Sequence, residues 1–382
     1  MTDALTLAQD LMRCPSVTPA DAGALDVLQR ALEGLGFTVR RMPYQAPGTE
    51  RVDNLYARLG TEGPNYCYAG HTDVVPTGEV AAWSVDPFAA TVRDGWLIGR
   101  GAADMKAAIA CQVAAVAQFL AARGRGFGGS LSFLISGDEE AQAINGTPAM
   151  LKTLLAEGER LDLCLVGEPT SVEQVGDMVK IGRRGSLSGE IVVEGIQGHT
   201  AYPQLADNPA HRLIALLQLL VTEELDRGNQ HFQPSNLQVT SIDIGNPASN
   251  VIPREARARF NVRFSSEMSG AGVEAWVRER IARVGGRISL TTRISGESFL
   301  TPEGPLSRTV QAAVRAATGR ATELGTTGGT SDARFIKNAC PVVELGLRND
   351  TAHKVDERVR VEDLATLTAI YRAILDRLFP AG

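Results

Sequence analysis

Gly70-His71-Thr72-Asp73, Ala103-Asp104-Met105-Lys106 and Gly137-Asp138-Glu139-Glu140 fall within residues 70–140, and their reading decides the fold. Apolar runs precede the first and third, Tyr66-Cys67-Tyr68-Ala69 and Leu131-Ser132-Phe133-Leu134-Ile135. Each run reads as a short buried strand. The polar residues then land at strand C-termini, where open α/β sheets place their chemistry. The second cluster opens an Ala-rich helix over residues 105–122, with Asp104 near its N-cap. Outward from this stretch, Glu168 closes an apolar run at residues 161–166, and His353 follows one at 341–345. Singly, each has an ordinary explanation, such as a helix cap or a solvated acidic turn. Together, His71, Asp104, the Glu139-Glu140 pair, Glu168 and His353 bring nitrogen and oxygen donors from separate elements. That is the pattern of a metal site.

The chain of 382 residues exceeds one typical core, so two domains are expected. Its composition, 44% apolar and 21% charged, is that of a globular protein. No apolar run approaches membrane-spanning length, and the N-terminus lacks a basic segment followed by an apolar one. The expectation is therefore a cytoplasmic protein with no membrane partner. Cys14, Cys67, Cys111, Cys164 and Cys340 are scattered without C-x-x-C spacing. They read as buried apolar residues in a reducing compartment, not as a disulfide frame or a thiolate zinc site. The net charge of −6 argues against a nucleic-acid partner. The basic residues are mostly Arg, which suits carboxylate recognition.

Helical periodicity over residues 3–13 and 21–35 and strand patterns at 37–41 and 54–58 precede the clusters. This alternation points to an α/β domain with a parallel or mixed sheet. The pattern changes near residue 180. A strand at 186–194, a helix at 208–225, strands at 236–244 and 255–265, a helix at 271–284 and a strand at 287–294 follow. The order βαββαβ is that of a ferredoxin-like unit. A helix at 305–318, the glycine-rich run Gly325 to Asp332, and a helix at 361–378 complete the chain. Because Glu168 and His353 should share one site, the last segment returns to the first domain and the middle segment is an insertion.

Over essentially the whole chain these motifs resemble the M20 family of di-zinc amidohydrolases and peptidases. Gly70-His71-Thr72-Asp73-Val74-Val75-Pro76, Asp104-Met105-Lys106, Asp138-Glu139-Glu140, Gly167-Glu168-Pro169 and His353 carry the resemblance. Arg183-Arg184-Gly185-Ser186, Asn250-Val251-Ile252-Pro253, Gly328-Gly329-Thr330-Ser331-Asp332 and Val343-Glu344-Leu345-Gly346 narrow it. They point to an amidohydrolase branch whose substrate bears a carboxylate at each end, with deacetylase and dipeptidase branches as alternatives. Ala107 stands where the family usually has Gly, and Ala141-Gln142-Ala143 where it has Gly-Pro-Ala; neither removes a ligand.

The resemblance implies a zinc-peptidase-like α/β catalytic domain with a central mixed sheet, residues 1–179 and 296–382. It also implies an inserted ferredoxin-like βαββαβ dimerisation domain, residues 180–295, in a homodimer. Two Zn²⁺ per subunit are implied, with Co²⁺ as a possible substitute. Asp104 would bridge them, His71 and Glu168 would bind one, and Glu140 and His353 the other. Asp73 would support His71, and Glu139 would be the general base. His199, in Gly198-His199-Thr200-Ala201-Tyr202-Pro203, would act as a transition-state donor in the partner's active site, with Asn250 also contributed across the dimer. Arg183, Arg184, Tyr202, Arg263, Gly329, Thr330 and Asn349 would grip substrate carboxylates.

Overall fold

The structure is a computed structural model, and it describes residues 3–381. The chain divides into two units. The larger comprises Met1–Ile181, Thr301–Gly325 and Ser331–Gly382; the smaller comprises Gly182–Leu300 and Thr326–Thr330.

The larger unit is built on an eight-stranded mixed sheet. Its strands run, in spatial order, Thr38–Arg41, Leu55–Leu59, Ser130–Ser136, Asn65–His71, Leu163–Val166, Val342–Glu344, Met178–Lys180 and Glu323–Gly325. Four neighbours, Ser130–Ser136, Asn65–His71, Leu163–Val166 and Val342–Glu344, are mutually parallel. Every residue of Asn65–His71 and Ser130–Ser136 is buried. Strands covered on both faces read as unbroken apolar runs, which is why they were legible. The helix Lys106–Arg123 is buried nearly all round and packs against Ala4–Met12 and Val361–Leu378. Thr147–Ala156 packs on the strand Ser130–Ser136. Asp104 lies next to the cap residue, Met105, which makes no side-chain cap bond. The Asp104 carboxylate is directed elsewhere.

The smaller unit carries a four-stranded antiparallel sheet, ordered Asn236–Asp243, Glu255–Phe264, Gly185–Glu194 and Arg287–Gly296. The helices Pro209–Thr222 and Gly270–Val284 pack on one face. Leu187, Ile191, Val193, Ala256, Ala258, Phe260 and Val262 point into that core with Leu213, Leu216 and Val277. Alternate positions such as Arg257 and Arg259 are exposed on the other face. The chain order is βαββαβ. Asn208 caps the first helix by accepting from the Ala210 N–H, and Ser269 caps the second by accepting from that of Gly272. Among the described residues, no helix is long and apolar enough to cross a membrane.

Candidate metal centre

The four parallel strands deliver their carboxyl ends to one rim of the larger unit. His71 ends one strand, Glu139 and Glu140 follow Ser130–Ser136, Glu168 follows Leu163–Val166, and His353 lies beyond Val342–Glu344. Close packing makes the turn at Glu168 possible: a Cβ at Gly167 would overlap the Tyr68 hydroxyl, and one at Gly346 the Glu168 carbonyl. His71 is 1% exposed, and its Nδ1 lies 2.9 Å from the Asp73 carbonyl oxygen. That contact suits an Nδ1–H donor and turns the Nε2 lone pair toward the acids. Nε2 is 3.0 Å from Asp104 Oδ1 and 3.7 Å from Glu168 Oε1. The other Asp104 oxygen lies 3.3 Å from His353 Nε2, which is 2.9 Å from Glu140 Oε1.

Two donor triads share Asp104, His71–Asp104–Glu168 and Asp104–Glu140–His353, and a third, His71–Glu139–Glu140, does not; the donor atoms of each lie within 4.8 Å of one another. The donors are all imidazole nitrogen and carboxylate oxygen, a set that suits zinc and neighbouring divalent ions. Packing so many carboxylates in one buried place raises the free energy of their ionised forms, and a cation relieves it. Without one, protons take its place. Burial pulls the His71 imidazole down, yet the hydrogen bond and charge of Asp104 more than offset this and hold it well above its usual value. The hydrogen bonds of Asp104 and Glu140 push His353 up to about 10. The residues present therefore fit a metal centre.

Asp73 meets His71 through its backbone. Its carboxylate stands 3.7 Å from His71, and only its carbonyl is in hydrogen-bond reach. The carboxylate instead accepts the N–H groups of Glu139 and Glu140, at 3.3 and 3.1 Å. Burial pushes its pKa up to about 6. Asp73 thus orients the ring with its backbone and the two glutamates with its side chain.

Glu139 also lies within 4.8 Å of His71 and Glu140, so distance alone would admit it as a ligand. Both triads are complete without it, however. Burial, with the charge of Glu168 next, holds its carboxyl well above the usual range, the environment of a proton acceptor. Beside it lies a group that the sequence pattern did not single out. Arg334 Nη1 is 3.9 Å from Glu139 Oε1, its side chain is 9% exposed, and its buried Nε and Nη1 make no hydrogen bond. The guanidinium also lies 4.4 Å from the centre of the Phe335 ring. Its only sequence signal is an Arg in the apolar turn after Asp332.

The remaining expected residues divide between the units. Asn349 is exposed in the larger unit, at the turn leading to His353. In the smaller unit, His199, Tyr202 and Asn250 come together. The His199 and Tyr202 rings meet edge to face at 5.6 Å, and the Thr200 N–H donates to the Asn250 carbonyl at 3.1 Å. Arg183 donates to the Gly329 carbonyl at 3.2 Å, beside Thr330. Arg263 is drawn below its ordinary value by burial and then by the charge of Arg184, whose buried Nε makes no hydrogen bond.

The sequence profile of peptidase family M20/M25/M40 matches residues 67–377. The chain belongs to the M20 family. A succinyl-diaminopimelate desuccinylase of Rhodospirillum centenum is 60% identical over 377 residues, covering 99% of this chain and 97% of the relative. One of Rhodospirillum rubrum is 55% identical over 392 residues, covering all of both chains at 100%. Among solved M20 structures, the metallo-carboxypeptidase Sso-CP2 from Sulfolobus solfataricus has a TM-score of 0.81 at 15% identity, over 98% of this chain and 99% of its own. Bacillus subtilis YXEP, a dinuclear metal-binding M20 peptidase, has a TM-score of 0.71 at 17% identity, over 98% and 97%. At such identities these two show the fold alone.

Proposed function

We propose that this M20 hydrolase cleaves N-succinyl-LL-2,6-diaminopimelate to succinate and LL-2,6-diaminopimelate, a step toward lysine and the bacterial cell wall. The observation that carries the reading is full-length identity of 60% and 55% to relatives bearing that enzyme name. Two zinc ions would be held by His71, Asp104 and Glu168 and by Asp104, Glu140 and His353, with cobalt as a substitute. Bound there, metal would polarise the scissile carbonyl and acidify the attacking water. Glu139 takes the proton from that water and delivers it to the leaving amine nitrogen. Burial keeps Glu139 basic enough to do so. Arg334 offers its unsatisfied N–H groups to a substrate carboxylate beside the base. Arg184 and Arg263, the first with a buried Nε that makes no hydrogen bond among the described residues, would offer a second grip; Arg183, Gly329, Thr330, Tyr202 and Asn349 would also bind substrate.

The partner is a second copy. Ile214 and Val221 stand 64% and 57% exposed on the helix Pro209–Thr222, and Ile242 is 57% exposed on the sheet's edge strand Asn236–Asp243. An unpaired edge with apolar neighbours favours self-association through the smaller unit. His199 and Asn250 would then be offered to the partner's site. The five cysteines are free, in keeping with a cytoplasmic location.

Turnover of the succinylated substrate by the zinc-loaded protein tests the activity. It should exceed that of N-acetylornithine or dipeptides by roughly 10⁴-fold, the discrimination reached when a buried polar grip is left unpaired. Faster hydrolysis of N-acetylornithine would make the chain an acetylornithine deacetylase, and of dipeptides a dipeptidase.

A further inference from the structure

Asp104 and His353 both lie in turns, with no regular element to hold them. Asp104 lies in the turn before a helix, and His353 lies in a turn at φ +63°, unusual for a residue with a side chain. Behind both is a buried ion pair. Arg100 is 2% exposed and Glu357 is 0% exposed, and Arg100 Nη1 donates to Glu357 Oε2 at 2.6 Å. The other Glu357 oxygen accepts the N–H groups of Ala103 at 2.8 Å and of Asp104 at 3.1 Å. Arg100 also donates to the carbonyls of Lys354 at 3.3 Å, His353 at 3.5 Å and Pro76 at 3.1 Å. Its guanidinium lies 5.3 Å from the centre of the Trp83 ring.

One ion pair thereby ties the Asp104 turn, the His353 turn and the segment leaving His71–Asp73. We propose that Arg100 and Glu357 are positioning residues that set the metal affinity of the Asp104–Glu140–His353 triad. This deepens, and rests on, the metal-centre reading above. A buried ion pair contributes little net stability compared with apolar residues of similar size, because desolvation offsets the attraction. Its use here is geometric. A guanidinium donates in several directions in one plane, and a carboxylate accepts on two oxygens, so together they fix backbone groups from three segments. Neither side chain reaches the donor atoms; both act through the backbones that carry them.

The test measures metal binding, with activity set aside. Zinc affinities of the full chain are determined by chelator competition for the wild type, Glu357→Gln, Arg100→Lys and the double variant Arg100→Met/Glu357→Leu. Each variant is also melted without metal, and its cobalt absorption spectrum is recorded. Loss of such a supporting contact costs about ten- to a hundredfold in metal affinity. That loss is expected in Glu357→Gln and Arg100→Lys, larger for one of the two equivalents because only Asp104 is shared between them, with an altered cobalt spectrum. The double variant, which leaves no unpaired charge, should melt close to the wild type without metal and still bind one equivalent weakly. Wild-type affinity in the double variant overturns the proposal, as does affinity that falls only in step with metal-free stability. A wild-type chain that binds no metal overturns the metal-centre reading itself.

Discussion

The two donor triads share Asp104 but are built differently. His71 and Glu168 are 1% and 7% exposed and stand at the ends of parallel strands, so the sheet itself aims them. Glu140 sits in a turn and the His353 side chain is 49% exposed on a loop, so neighbouring side chains must aim them. The first triad is enclosed throughout, whereas the second is open on the His353 side. The contrast teaches that a site of two triads can take one half from the fold and the other from a few polar contacts.

The largest effect should come from the group that serves both triads while belonging to neither. Glu139→Ala should lower kcat by about 10²–10⁴-fold, the usual worth of a general base. Metal content should stay unchanged. Loss of one equivalent on elemental analysis would place Glu139 in the coordination shell and blur the two-triad division.

Next come the donors. Glu168→Ala should weaken one metal equivalent and His353→Ala the other, each by more than the roughly 10–100-fold that a supporting contact is worth. Asp104→Ala should weaken both. Isothermal titration checks this; two normal equivalents in Asp104→Ala would remove the shared vertex.

A third expectation concerns what completes the site from outside. His199→Ala and Glu139→Ala chains, each inactive, should regain activity when mixed under subunit exchange. Half the dimers would be mixed, each with one intact site, so recovery should approach roughly a quarter of wild-type activity. Demonstrated exchange without recovery would confine His199 to its own chain.

The smallest effect is the pH dependence of the metal-free protein. His353 is held up at about 10 from an ordinary 6.5, so its stabilising contacts are fully present below pH 6.5 and lost as pH rises through 10. Asp73, raised to about 6 from 3.8, has the same sign at lower pH: ionising it in its buried place costs stability as pH rises. With chelator present, the melting temperature should fall modestly between pH 6.5 and 10. Metal should abolish this fall and bind more tightly as pH rises, because it displaces the His353 proton. A metal-free melting temperature that rises over this range would contradict the assignment.

How far the site was legible follows from the same contrast. Tyr66 to Ala69 and Leu131 to Ile135 announced themselves because a strand covered on both faces must be apolar throughout, and the chain must turn polar where it leaves the sheet. The order βαββαβ was legible because antiparallel strands with one covered face alternate, as Ala256 to Phe264 do against Arg257 and Arg259. Asp104 stands next to the cap of an Ala-rich helix, a position with an ordinary explanation; its contacts with His71 and His353 are tertiary, and no local pattern shows them.

By itself, then, the sequence determined which residues stand at the ends of which elements, and so the candidate donors. Only the tertiary structure decided which groups they meet. It assigned the His71 contact to the Asp73 carbonyl and gave the carboxylate to the Glu139–Glu140 turn. It set Arg334 beside Glu139 with two nitrogens lacking a hydrogen bond among the described residues, and placed Arg100 with Glu357 behind the open triad. The physical reason is range. Strand and helix patterns are set by neighbours a few residues apart, whereas the partner of a buried charge is chosen by the fold, and nothing near Arg100 in the chain names Glu357.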